Sequence, residues 1–236
     1  MSNKRAVILA GGKGTRLKPY TAVFPKPLVP VGDVPILEVI IRQLAANGFT
    51  HITIALNHLA EIIKAFFGDG SKWGVQIDYS LEDKPLNTMG PLKLIADLPD
   101  NFLVMNGDVL TDLNYAELYD AHVAQENLFT ISAYARQQKV DFGVLDIGED
   151  KKLTGFREKP VYEYSVSMGI YVLNRNVLEI IPEDTAYGFD ELMLELIKRK
   201  TPATVKVFDG YWLDIGRPED YEIACEEASR FIPGDA

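Results

Sequence analysis

The chain has 236 residues, 47% hydrophobic and 25% charged, a balance that supports one compact core and excludes a disordered chain. Its 24 Lys and Arg against 34 Asp and Glu leave a net charge of −10, which repels a nucleic-acid backbone and argues against non-specific nucleic-acid binding. No apolar run reaches the ~20 residues that span a bilayer, the N-terminal apolar stretch 6–10 is too short for a signal-peptide core, and the one cysteine, Cys225, makes neither an internal disulfide nor a thiolate metal cluster. We therefore expect a cytoplasmic protein with no membrane partner.

The first half alternates apolar runs with amphipathic stretches. Residues 5–10 read as a buried strand, 35–47 as a helix, 51–56 as a strand and 59–67 as a helix, which is βαβ order. A strand over 75–80, a helix beginning near Gly90, a strand over 102–105 and a helix near Asn114 follow. Strands apolar on both faces belong to a parallel sheet covered by helices, so the fold class is α/β and doubly wound. The second half changes character: 128–136, 142–147, 153–157 and 165–173 read as strands with few helices between them. Helices near 189–200 and 218–231 flank a strand at 204–208. This half is expected to form a smaller mixed sheet roofing a site on the first. Gly and Pro punctuate the segments without forming a linker, so we read one domain, 1–236, with no internal repeat.

Ligands of an open parallel sheet bind beyond the carboxyl ends of its strands. Three such ends carry chemistry: Gly11 to Arg16 (GGKGTR) after the first strand, Asn106-Gly107-Asp108 after 102–105, and Asp214 after 211–213. Three glycines in four positions let backbone N–H groups approach a phosphate. The run is neither a Walker A loop, lacking the Lys-Ser/Thr pair, nor GxGxxG, whose third Gly would fall at Leu17. Arg16, Lys18 and Lys26 follow closely in a stretch stiffened by Pro19, Pro25, Pro27 and Pro30. The alternative is a tight turn with surface lysines. Asp108 and Asp214 suit a divalent metal, since Mg²⁺ takes one or two carboxylates plus phosphate oxygens; each also suits a turn or helix cap. Together the three ends fit metal-assisted phosphoryl or nucleotidyl transfer. His51, His58 and His122 lack metal-ligand spacing, Phe66, Phe67 and Trp73 read as packing, and Tyr211 and Trp212 are expected to pack under the site.

The run AVILAGGKGTRLKPYTAVFPKPLVPVGDVPILE resembles the signature of the sugar-phosphate nucleotidyltransferases, the nucleoside-diphosphate-sugar pyrophosphorylases. The resemblance continues in family order through VMNGDVLTDLN, DFGVLDIGEDKKLTGFREKP, SMGIYVLN and GYWLDIGRPEDY, across essentially the whole chain. The last element is most similar to the mannose-1-phosphate guanylyltransferase-like branch. The resemblance does not extend to the left-handed β-helix that some relatives append. It implies a Rossmann-like, mostly parallel sheet with helices on both faces, a nucleotide-binding half (1–113) and a smaller β-rich sugar-phosphate-binding half (114–236).

By position, the resemblance implies that Leu9, Gly11, Gly12, Gly14 and Thr15 meet the nucleotide, with Glu82 and Gly90 at base and ribose. It gives Arg16 the leaving pyrophosphate, Lys26 the phosphates at the reacting centre, and Asp108 and Asp214 the Mg²⁺ cofactor. Gly143, Glu158, Lys159, Ser167 and Gly169 match the sugar-phosphate positions. The implied reaction is attack of a sugar 1-phosphate on the α-phosphorus of a nucleoside triphosphate, GTP favoured, with dTTP or UTP as alternatives. A catalytically silent sensor of the same fold is a second reading, opposed by the retention of Arg16, Lys26, Asp108, Glu158, Lys159 and Asp214. A third, a cytidylyltransferase, usually carries a different first loop. A homo-oligomer is allowed, with no surface to support it. Two departures bear on specificity: Met89 stands where many relatives have a small residue and is expected to face the nucleotide, and Ser167 stands where relatives often have Asn.

Overall fold

Strand β1 (Lys4–Leu9) sends Ala6 and Ile8 to one buried face and Val7 to the other, the pattern of a strand covered on both sides. The computed structural model describes residues 4–12, 14–17, 20–21, 24–57 and 59–231. Lys18, Pro19 and His58 of the sequence reading lie outside them, as does Lys13 of the glycine run. In chain order there follow β2 (Pro30–Val31), β3 (Val34–Pro35), α1 (Ile36–Ala46), β4 (Phe49–Leu56), α2 (Ala60–Phe67), β5 (Gln76–Leu81), β6 (Asn101–Asn106), β7 (Val109–Thr111) and α3 (Tyr115–Ala124). The rest comprises β8 (Phe129–Lys139), β9 (Val144–Ile147), β10 (Leu153–Arg157), β11 (Val161–Asn174), α4 (Phe189–Lys198), β12 (Thr204–Phe208), β13 (Trp212–Asp214) and α5 (Pro218–Glu226).

Seven strands form one sheet in the order β12-β8-β11-β6-β1-β4-β5. Its pairings are parallel except at β11, which runs against both β6 and β8. One face packs against α1, α2, α3 and α5: Ile8, Leu103 and Met105 meet Ile40, Leu44, Ile63 and Tyr115. On the other face Val7, Phe102 and Val104 pack with Leu92, Leu192 and Leu196. Each such side chain fully removed from water contributes roughly 1.5–3 kcal/mol.

Three expectations are revised. The second half does not form a separate roof: β8, β11 and β12 extend the main sheet, and its remaining strands lie in two-stranded ribbons, β9 with β10 and β13 with β7. The segment at Gly90 is a five-residue 3₁₀ helix, Gly90–Leu94. There Met89 N–H and Gly90 N–H both donate to Tyr187 O, at 2.9 and 3.1 Å, and the buried Leu92 and Ile95 stand three apart, the spacing that a 3₁₀ turn eclipses. The last helix stops at Glu226 and resumes as a 3₁₀ turn, Ala228–Arg230, burying Ala228 and Phe231 three residues apart.

His122 in the last turn of α3 is buried, its Nδ1 2.8 Å from Thr130 Oγ1. Burial pushes the imidazole pKa down from 6.5 to about 4. The unfolded chain thus takes up a proton that the native state refuses, so stability is full above pH 6.5 and falls as pH drops from 6.5 toward 4. Relative to His122→Gln, the wild-type unfolding free energy in urea is expected to decline by about 1.4 kcal/mol per pH unit in that window; a difference that does not vary with pH would contradict the burial argument.

Candidate functional site

Strand order reverses at β1, with β4 and β5 to one side and β6 to the other. A crevice opens beyond the strand ends at such a point. The loops after β1 and β6 are tied there: Gly107 N–H donates to Leu9 O at 2.9 Å, and Ala10 N–H to Ala55 O at 2.9 Å. Gly14 turns the chain at φ +59°, and a Cβ there would stand 3.0 Å from Lys26 Cβ and 3.1 Å from Thr21 Cγ2. The Thr21 hydroxyl donates to Gly14 O at 2.7 Å. Glycine at this position therefore lets the turn lie against Lys26. A 3₁₀ turn, Thr15–Leu17, follows, anchored by buried Leu17 and leaving Thr15 and Arg16 exposed.

Asp108 leaves β6 just before β7, and β7 pairs antiparallel with β13 so that Asp214 stands opposite Val109. Ile215 N–H donates to Asp108 O at 3.0 Å. This short ribbon brings together two carboxylates 106 positions apart in the chain. Neither caps a helix: Asn114 caps α3, accepting from Glu117 N–H at 3.0 Å, and Asp220 accepts from Arg217 N–H at the start of α5. Lys26 Nζ is hydrogen-bonded to Asp108 Oδ2, while Asp108 Oδ1 is buried with no hydrogen-bond partner among the described residues. Burial and then the neighbouring Asp108 push the Asp214 carboxyl up, against the pull of Lys26 and Arg16. Arg16 Nη1 and Asp214 Oδ2 both lie 3.5 Å from where a Cβ on Gly216 would stand. Among the described residues no group of three or more His, Cys, Asp or Glu could hold a metal. A buried carboxylate oxygen without a partner, beside a second carboxylate, does suit a Mg²⁺ ion completed by phosphate oxygens.

A cleft of about 450 Å³ extends from Asp108 across the sheet ends, and Leu9, Gly11, Gly12, Glu82 and Asp108 line it. Glu82 Oε2 accepts from Leu86 N–H at 2.9 Å, and Oε1 lies 2.9 Å from where a Cβ on Gly11 would stand. Burial pushes the Glu82 carboxyl up against the pull of the Leu86 N–H and of the neighbouring Asn57. The far wall is Asn87, Thr88 and Pro91, clamped by the Tyr187 N–H···Leu86 O bond at 3.0 Å and the Phe189 N–H···Thr88 Oγ1 bond at 2.8 Å. Gly90 is buried behind that wall, its α-carbon facing Leu86 and Thr185. Met89 does not face the cleft: it is fully buried in the core with Leu92 and Phe102. The sequence reading missed Asn57 and Pro91, and named Asn106 only as part of the strand end at Asp108. Asn57 directly follows the strand 51–56, the signal used at the other strand ends.

The second-half residues fall into two groups. Gly169 (φ +73°) is buried against Asn106, whose Nδ2 would lie 2.5 Å from any Cβ added there, and Asn106 lines the cleft. The Ser167 hydroxyl is 3.1 Å from Tyr171 OH and accepts from Gly169 N–H at 3.3 Å. Gly143, Glu158 and Lys159 stand farther out at the root of the β9–β10 ribbon, all exposed, with Glu158 Oε2 3.3 Å from where a Gly143 Cβ would stand. Trp212 packs under Met168, donating Nε1–H to its carbonyl at 3.0 Å, and Tyr211 packs on Phe231 at 5.1 Å. His51 pairs with Asp78, and Phe67 and Trp73 belong to the core.

The family model described as nucleotidyl transferase matches residues 5–230. A UTP–glucose-1-phosphate uridylyltransferase from Synechocystis is 34% identical over 237 residues, covering 92% of this chain and 61% of that protein. Mannose-1-phosphate guanyltransferase from Kluyveromyces lactis is 36% identical over 226 residues, covering 92% and 62%. The chain thus spans about 61–62% of the length of these curated relatives. HddC from Yersinia pseudotuberculosis has the same fold, with TM-score 0.75 and 30% identity over 95% of this chain and 99% of that one. HddC complexed with GMP-PN gives TM-score 0.73 at 29% identity over the same shares. With a match of that extent, laid over a crevice of two carboxylates, two cations and a glycine turn, the chain belongs to the nucleotidyl transferase family.

Proposed function

We propose that this chain joins a nucleoside triphosphate, GTP by preference, to a sugar 1-phosphate, giving a nucleoside-diphosphate sugar and pyrophosphate. The observation that carries this reading is the meeting of Asp108 and Asp214 with Lys26 and Arg16 beside the glycine turn. A phosphate oxygen of the sugar 1-phosphate attacks the α-phosphorus, and the α–β bridging bond breaks with its electron pair leaving on pyrophosphate. The nucleophile is already anionic at neutral pH, so no general base is needed, and the difficulty is to bring two anions together.

Lys26 moves its charge from Asp108 to the phosphates, and Arg16 steadies the departing pyrophosphate. Gly11, Gly12, Gly14 and Thr15 line its path with small groups and N–H donors, and Leu9 and Glu82 meet the base. Lys159 and Glu158, with Gly143, receive the sugar phosphate, while Ser167 and Gly169 shape the inner end of its site. Gly90 acts from behind the cleft wall. Asp108 and Asp214 would hold Mg²⁺, which would supply further positive charge to the phosphates.

The preference for GTP rests on Glu82. A carboxylate only accepts hydrogen bonds, and guanine presents two adjacent donors, N1–H and the 2-amino group. Uracil and thymine present one N–H between two carbonyls, which a carboxylate repels. HddC complexed with GMP-PN supports this choice, whereas the Synechocystis uridylyltransferase favours UTP.

Asp108→Asn and Arg16→Ala are each expected to lower pyrophosphate release by about 10²–10³-fold while melting within a few degrees of wild type; turnover within twofold of wild type in either would overturn the reading. Glu82→Gln, which offers both a donor and an acceptor, is expected to shift the kcat/KM ratio from GTP toward UTP and dTTP by at least tenfold, a difference of about 1.4 kcal/mol. An unchanged ratio would remove Glu82 from base choice and leave the transfer reaction standing.

A further inference from the structure

Strands β4 and β5 end level with each other at the cleft. Leu56 stands opposite Leu81, and Glu82 N–H donates to Leu56 O at 2.9 Å. The residues that follow, Asn57 and Glu82, thus leave the sheet side by side, and both line the cleft. A Cβ on Gly11 would stand 2.9 Å from Glu82 Oε1 and 3.4 Å from Asn57 Cβ, so the two side chains meet around one point that glycine leaves open. Asparagine ahead of a helix often caps it, but α2 has Leu59 at its N-cap and no side-chain cap. An amide beside a carboxylate turns its N–H₂ side toward it, because its carbonyl would be repelled, and the downward pull of Asn57 on the Glu82 carboxyl has that sense. One N–H of the amide then serves Glu82 and the other is left for the cleft.

We propose that Asn57 is a second specificity-determining residue, its remaining Nδ2–H donating to O6 of guanine while Glu82 accepts from N1–H and the 2-amino group. The inference rests on the base site of the proposed function and adds to it one residue and one atom of the base. The order of groups along the protein edge, two acceptor oxygens and then a donor, is the complement of the order along guanine, 2-amino, N1–H and O6. Glu82 alone sets guanine apart from uracil and thymine. Asn57 extends the discrimination to the amino bases: adenine would set its 6-amino group against the Asn57 N–H and its N1 lone pair against the carboxylate, and cytosine would do the same with its 4-amino group and N3. A site built to pair a polar group rejects an analogue that leaves its own donor unpaired.

Titration calorimetry of the full chain with Mg²⁺ and GTP, 6-thio-GTP, ATP or UTP, in the absence of any sugar phosphate, tests this apart from turnover. 6-Thio-GTP keeps N1–H and the 2-amino group and replaces only O6, by sulfur, a weaker acceptor. The wild type is expected to bind GTP at least tenfold more tightly than 6-thio-GTP, a ratio that reads the O6 contact without any substitution. Asn57→Ala is expected to bind the two within threefold of each other and to lose at least tenfold of the preference for GTP over ATP. Equal wild-type affinities for GTP and 6-thio-GTP, or a tenfold preference that persists in Asn57→Ala, would overturn the proposal; GTP still bound more tightly than UTP would then leave the Glu82 reading standing. UTP bound more tightly than GTP by the wild type, or no nucleotide bound at 1 mM, would remove both.

Discussion

Two carboxylates held side by side repel, and the crevice is arranged around that constraint. Unit charges 4 Å apart interact by about 4 kcal/mol at the effective dielectric of a protein surface. Placing two carboxylates together therefore calls for cations beside them. Lys26 sits on Asp108, and Arg16 reaches the Gly216 turn next to Asp214. Burial first, and then the neighbouring Asp108, push the Asp214 carboxyl up against the pull of those two cations. A site left partly uncompensated in this way favours further positive charge, which is the physical sense in which it suits a divalent ion and its phosphates.

The fold supplies the constraint through pairings of very different range. Parallel neighbours β1 and β6 bring the glycine turn beside Asp108, because both strands end at the same level of the sheet. The β7–β13 ribbon then carries Asp214 back from the C-terminal region to the same place. Gly14 lets the first loop close on Lys26, and Gly169 lets β11 close on Asn106. At both, a side chain would push the two halves of the crevice apart.

Much of this was legible in the sequence. Apolar runs of four to six residues set between amphipathic stretches give β1, β4 and β6 within a residue or two, since a strand buried on both faces has no polar alternation to confuse it, and the half-exposed edge strand β5 falls within one residue of its expected place. The residues after those strands pointed to Gly11, Gly12 and Asp108 for the same reason. Three things were not legible. A sheet joined by the long strands β8 and β11 depends on which partners they meet, and a mixed pattern of exposed and buried residues does not encode that. Met89 turns inward because Tyr187 O clamps the backbone at Met89 and Gly90, a contact between segments nearly a hundred residues apart. The caps that freed Asp108 and Asp214 from a structural role, Asn114 and Asp220, became visible only when their hydrogen bonds were placed.

Pyrophosphate release reports most directly whether the crevice transfers a nucleotidyl group between two phosphate anions. The measurement is release with Mg²⁺ across GTP, UTP, dTTP, CTP and ATP, each combined with a panel of hexose and heptose 1-phosphates. Release is expected to require a sugar 1-phosphate and to be fastest with GTP. Nucleotide binding with no sugar-dependent pyrophosphate in any combination would contradict it and identify the chain as a nucleotide-sensing member of its family.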